Sequence, residues 1–163
     1  MSENRINIRK ASISDAPTAW HIRNAAINNQ CAGFYPPESL RTWTQGRLSD
    51  EFARMVDNHF YVAAMEGEVV ATGMIDLASG KIDAIFVHPD KMNIGLGRRM
   101  LSFLENRARE SGLAELNLEA TINAVSFYRA CGFEGNEKSV YHSPRGVALE
   151  CVLMKKILHA MEP

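Results

Sequence analysis

Val87-His88-Pro89-Asp90-Lys91-Met92-Asn93-Ile94-Gly95-Leu96-Gly97-Arg98-Arg99 is the stretch from which the fold of this chain can be read. An apolar β-prone run over Lys81–Val87 stops at Pro89, which cannot extend a central ladder. A glycine-containing loop follows and runs straight into a helix expected over residues 95–111. On that helix Met100, Leu101, Leu104 and Ala108 share one stripe, with Arg98, Glu105, Arg109 and Glu110 elsewhere. Gly112 suits its C-terminal cap. The first amides of a helix lack internal acceptors and sit at the positive end of its dipole. They therefore form an anion site suited to phosphate. Gly95 and Gly97 remove side chains so that a diphosphate can touch the main chain. Arg98 and Arg99 add charged donors. A plain strand-to-helix turn is the competing reading of the same glycines.

Upstream, Phe60–Met65, residues 69–77 and Lys81–Val87 read as three strands of a meander, joined at Glu66-Gly67-Glu68 and Ser79-Gly80. Before them, residues 5–11 alternate as a half-buried strand. Ser14-Asp15-Ala16-Pro17 opens a helix running to about Asn28. Pro37 starts a short helix through Thr44, and another helical piece spans residues 50–56. Downstream, a strand over 115–120 precedes a short helix over 123–130, with Ala124, Phe127, Tyr128 and Cys131 at helical spacing. Residues 133–141 and 147–155 close the chain as two strands around a turn over 143–146. The expected fold is α/β (α+β): one domain over 1–163, with a mixed, mostly antiparallel sheet of six or seven strands flanked by helices. Periodicity leaves the strand order open.

Composition removes several function classes. Eighteen basic and nineteen acidic residues give a net charge of −1, which offers no field for nucleic acid. Cys31, Cys131 and Cys151 are an odd, sparse set without CxxC spacing, and the histidines form no HxxxH or HExxH pattern. Neither a disulfide framework nor a metal site is expected. No apolar run approaches the ~20 residues that span a bilayer, and residues 1–5 lack a signal core. No membrane association and a cytoplasmic address are the expectations. The loop also lacks the Gly-Lys-Ser/Thr of a P-loop and the third glycine of a dinucleotide fingerprint, since Met100 stands there.

A second motif, Asn123-Ala124-Val125-Ser126-Phe127-Tyr128-Arg129-Ala130-Cys131-Gly132-Phe133, follows the strand ending Leu118-Glu119-Ala120. With both motifs in this order, the chain resembles the GNAT family of N-acetyltransferases. Their phosphate loop reads Gln/Arg-x-x-Gly-x-Gly/Ala after a Val-x-Pro, and their later helix often reads Asn-Ala-x-x-Phe-Tyr-x-x-x-Gly-Phe. The resemblance implies the acyl-CoA N-acyltransferase fold, with acetyl-CoA as cosubstrate and a splayed parallel strand pair formed by Lys81–Val87 and residues 115–120. It implies that Ile85, Phe86 and Val87 meet the pantetheine and acetyl end. It places the pyrophosphate on the loop of Met92, Asn93, Ile94, Gly95, Leu96 and Gly97, with Arg98. Asn123 would bond the pantetheine region, with Ser126 and Phe127 near it. Met92 departs from the usual Gln or Arg and cannot donate a side-chain hydrogen bond.

Acetyl transfer to an amine needs a neutral amine, a donor for the developing oxyanion, and a proton for the departing thiolate. Tyr128 matches the family tyrosine that faces the thioester sulfur, and a phenol is protonated at neutral pH. Many relatives carry Glu where Lys81 stands, and a lysine is a poor base unless buried. Asp83, two residues on and so on the same strand face, is the candidate base. Glu119 or a water relay is the alternative. Phe34, Tyr35, Trp43 and Tyr61 are candidates to wall an acceptor pocket, or core aromatics. The expected acceptor is an amine of a small molecule or a protein, and the expected assembly a monomer or homodimer. The Lys81 and Met92 departures motivate a second reading, a non-catalytic coenzyme A-binding or interaction module.

Overall fold

The computed structural model describes residues 5–159, and alternating side chains sort its strands onto two covered faces. The chain order is β1 (Ile6–Lys10), α1 (Ala16–Gln30), α2 (Pro37–Thr44), α3 (Asp50–His59), β2 (Phe60–Met65), β3 (Glu68–Asp76), β4 (Lys81–Val87), α4 (Leu96–Glu110), β5 (Glu115–Thr121), α5 (Val125–Ala130), β6 (Glu134–His142) and β7 (Ala148–Ile157). The strands form one seven-stranded sheet, ordered β1-β2-β3-β4-β5-β7-β6. Every neighbouring pair is antiparallel except β4 and β5. That exception follows from the chain: β4 to β5 is a crossover through α4, whereas the meander strands are joined by tight turns.

Strand β2 shows how the two faces are specified. Tyr61, Ala63 and Met65 join the cluster holding Met100, Leu101 and Leu104 of α4 and Tyr128 of α5. Phe60 and Val62 point the other way and pack with Ala16 and Ala19 of α1 and Val56 of α3. The period-2 pattern thus feeds one core under α4 and α5 and another under α1 and α3. The stripe expected on α4 is fully buried, with Met100, Leu104 and Ala108 at 0% exposure.

Polar ties fix the layers. Ser49 caps α3 by accepting the Phe52 amide at 3.1 Å. Lys156 of β7 donates to buried Glu105 of α4 at 2.8 Å and to the Cys131 carbonyl after α5 at 2.7 Å. Tyr35 donates to the Glu150 carbonyl at 2.6 Å and accepts the Ile122 amide at 2.9 Å. One phenol thereby joins the loop after α1 to β7 and to the start of the β5–α5 turn.

The helices differ from expectation mainly at their ends. α3 runs on to His59, and residues 122–124 form a 3-10 turn ahead of α5 rather than its first turn. Residues 1–4, read for a signal segment, lie outside the described residues. Among the described residues no helix is long and apolar enough to cross a membrane. Tyr35→Phe leaves a buried carbonyl and amide unpaired, so it should lower unfolding free energy by about 1–3 kcal/mol. Urea titration checks this through a lower midpoint at unchanged slope.

Candidate functional site

A single extra residue shapes the site. Against β3, Ile82 pairs with Ile75 and Ala84 with Met74, so Asp83 is left opposite nothing. This is a β-bulge, which bends its strand and re-aims the bulged side chain. Pairing between β4 and β5 stops at the same place: only Lys81 with Asn117 and Ile82 with Leu118 are in register. β5 stays paired with β7 along its whole length. Beyond Ile82 the two parallel strands therefore diverge, and the β5-facing edge of β4 has no strand partner.

The second half of the site is the start of α4. Asn93 and Gly95 take left-handed backbone conformations, φ +65° and +83°, and Gly95 stands at the N-cap without a side-chain cap. A Cβ on Gly95 would meet nothing within 4 Å, so its glycine serves the backbone turn and leaves the amides uncovered. Gly97 differs. A Cβ there would come 3.2 Å from Phe127 Cζ, so the missing side chain admits the Phe127 ring. The first hydrogen bond into the helix is Arg99 N–H to Gly95 C=O at 3.0 Å. No acidic residue occupies the first turn. Arg98 and Arg99 instead stand exposed at the positive end of the dipole, and among the described residues neither forms an ion pair. Cations there oppose the dipole by roughly 0.3–1 kcal/mol each. A bound anion would reverse the sign.

Beside the diverging strands lies a cavity of about 230 Å³, walled by α1, α2, α3, the ends of β4 and β5, and the β6–β7 turn. Asp83, Ile85, Phe86, Asn123 and Tyr128 all line it. Tyr128 is 7% exposed, wedged edge-on between Phe127 and Phe133 at 5.2 and 5.6 Å. Burial, then the nearby Cys131 thiol and Asp83, push its phenol well above the ordinary value. The Oδ1 atom of Asn123 is sealed from solvent without a donor. An orphan of that kind fits an absent N–H donor, such as one from a pantetheine amide. Among the described residues no cluster suits a metal ion.

The acidic groups are not equivalent. Lys81 Nζ holds Glu119 Oε1 at 2.7 Å, and Cys151 donates to Glu119 Oε2 at 3.8 Å. Glu119 is thus a partner, not a free base, and its hydrogen bond raises the Lys81 ammonium. Among the described residues Asp83 forms no ion pair, and it lines the cavity. Enclosing protein raises its carboxyl above the ordinary value; Lys81 and Arg23 pull it down, and Glu119 pushes it up.

Other expected residues fall elsewhere. Val87 lies outside the cavity, and its carbonyl accepts from Gln30 Nε2 at 3.3 Å. Met92 is exposed, its sulfur 3.4 Å from the same amide nitrogen. Ile94 is exposed, Leu96 is buried under the helix, and Ser126 points to solvent outside the cavity. Of the four candidate wall aromatics only Trp43 lines the cavity. Phe34 is 55% exposed, Tyr61 packs on Phe103 in the α4 core, and Tyr35 is the brace described above. The walls missed from the sequence are Trp20, Arg23, Phe52, Tyr141 and Arg145. Trp20 and Arg23 stand one turn apart on α1, an aromatic and a cation on a helix otherwise burying Ile and Ala. That spacing was the available signal.

Comparison with known proteins agrees with this geometry. Residues 31–149 match the acetyltransferase (GNAT) domain family. An 84-residue stretch is 34% identical to the IAA acetyltransferase of Azospirillum brasilense, covering 47% of this chain; at 55% of that relative, the chain spans about half its length. The GCN5-related N-acetyltransferase structure from Rhodopseudomonas palustris superposes with a TM-score of 0.85 at 25% identity, over 97% of this chain and 98% of that one. The PaiA N-acetyltransferase of Thermoplasma acidophilum, solved with coenzyme A, superposes with a TM-score of 0.75 at 21% identity, over 94% and 99%. With its diverging β4–β5 pair and uncapped helix start, the chain belongs to the GNAT acetyltransferase family.

Proposed function

We propose that this protein transfers the acetyl group of acetyl-CoA to an amine of a small molecule or a protein, by direct attack. The observation that carries the reading is the two-residue limit of β4–β5 pairing, which leaves the edge of β4 free where Asp83, Ile85 and Phe86 line the cavity. The uncapped helix start suits a diphosphate, and the freed edge of β4 suits an amide-bearing arm. The unpaired Asn123 Oδ1 lies along the same route.

Bound acetyl-CoA supplies an acyl carbon that a neutral amine can attack. Asp83 takes the proton that the amine nitrogen loses as the N–C bond forms. Its raised carboxyl is a better proton acceptor than an ordinary aspartate. Tyr128 keeps its proton across the working pH range. It donates a hydrogen bond toward sulfur, and gives up the proton only as the S–C bond breaks and charge accumulates there. Solvent then restores the phenol.

Acetyl-CoA at 100 times its Kd should stabilise the fold by about 2.7 kcal/mol, seen as a rise in Tm; Gly95→Glu, placing bulk and negative charge at the helix start, should abolish that rise. Tyr128→Phe should lower kcat by about 100-fold or more while the cofactor-induced Tm shift persists. Unchanged turnover would remove Tyr128 from the chemistry.

Asp83 gives a prediction whose sign is fixed. Its carboxyl is raised in the folded state, so its charge destabilises the fold above the unfolded value near 3.8, and has no effect below it. Asp83→Asn should therefore raise Tm at pH 7 but not at pH 3. It should also erase the loss of kcat/KM that the native enzyme shows as pH falls through the Asp83 pKa.

A further inference from the structure

The far wall of the cavity carries a charge pattern that acetyl transfer by itself does not require. Arg23 of α1 and Arg145 of the β6–β7 turn both stack on Trp20, their guanidinium carbons 4.8 and 4.5 Å from the ring centroid. Arg23 also lies 5.6 Å from the Trp43 ring. Each is held in place by neutral acceptors. Arg23 Nη1 donates to Asn24 Oδ1 at 2.6 Å and the Trp43 carbonyl at 3.2 Å, and Arg145 donates to the Gln45 carbonyl at 2.5 Å and the Arg47 carbonyl at 3.2 Å. Among the described residues neither meets a carboxylate within 4.0 Å. Two like charges share one indole, although Glu51, Asp83, Glu119 and Glu150 line the same cavity. The strain registers on Arg23, lowered to about 10 chiefly by burial, with Arg145 adding to the shift.

We propose that the acceptor is a free amino carboxylate with an apolar side chain: Arg23 and Arg145 bind its carboxylate, and Asp83 receives its amine. The inference rests on the acetyltransferase reading and names the substrate class of the same site. Planar guanidinium groups with unused N–H donors match a carboxylate. Trp20, Phe52, Met55 and Tyr141 supply the apolar wall for a side chain. A cavity of about 230 Å³ suits one amino acid, and its arginine end disfavours polyamines and amino sugars.

The test is thiol release from acetyl-CoA with L-leucine and L-phenylalanine, set against isopentylamine and 2-phenylethylamine, which lack only the carboxylate. Spermidine and an alanine-terminated peptide complete the panel. The amino acids should exceed their decarboxylated counterparts in kcat/KM by about 30-fold or more. That ratio should collapse toward one in Arg23→Met, and in Arg145→Lys, which keeps charge but not the fork. Tm with and without acetyl-CoA verifies that each variant folds and binds. Equal rates for amines and amino acids overturn the inference, as does a ratio unchanged in Arg23→Met. A preference for spermidine or the peptide overturns it too. In all these outcomes acetyl transfer itself stands. No Tm response to acetyl-CoA and no thiol release with any amine would instead defeat the acetyltransferase reading, and this inference with it.

Discussion

The one backbone irregularity at Asp83 governs the arrangement. Sheet hydrogen bonding is cooperative along a ladder, and a parallel pair left alone would zip to its end. Here the unpaired residue in β4 bends that strand where its partnership with β5 ends, after Ile82 and Leu118. β3 keeps pairing with β4 past the bulge and β7 pairs with β5 along its whole length, so each diverging strand retains a neighbour on its other side. The bulge thereby separates two strands without unravelling either, and it falls at Asp83, a carboxylate that lines the cavity without an ion pair among the described residues.

The surrounding charges follow from that opening. Lys81 and Glu119 close its base with an ion pair. At the other end, Arg98 and Arg99 crowd the positive pole of α4. Surface ion pairs contribute little to stability, and misplaced cations detract from it. The fold's free energy comes instead from the three buried clusters and from ties such as Lys156 to Glu105. The site can therefore carry unfavourable electrostatics because the core beneath it does not depend on them. GNAT membership explains why the open strand pair and bare helix start occur together.

Much of this was legible in the sequence, because it is written in local patterns. The α4 stripe of Met100, Leu101, Leu104 and Ala108, the meander, and the loop through Gly95 all follow from spacing and turn chemistry. Tyr128, Asn123, Ile85 and Phe86 lay in motifs and reached the cavity together. The bulge escaped notice because nothing in Lys81–Val87 distinguishes a register slip from regular alternation; it exists only against β3. The packing at Gly97 was hidden for a related reason: what fills its missing side chain is Phe127, 30 residues on. The acceptor wall was hidden since Trp20, Trp43 and Arg145 come from three distant segments that meet only after folding.

The central claim is that the amides at the start of α4 and the freed edge of β4 together bind coenzyme A. Mapping backbone amide shifts in a ¹⁵N-labelled sample titrated with coenzyme A tests it most directly. The largest shifts should fall on residues 93–98 and 83–87, with Asn123 following. Shifts confined to other elements, or none at saturating ligand, would contradict the account.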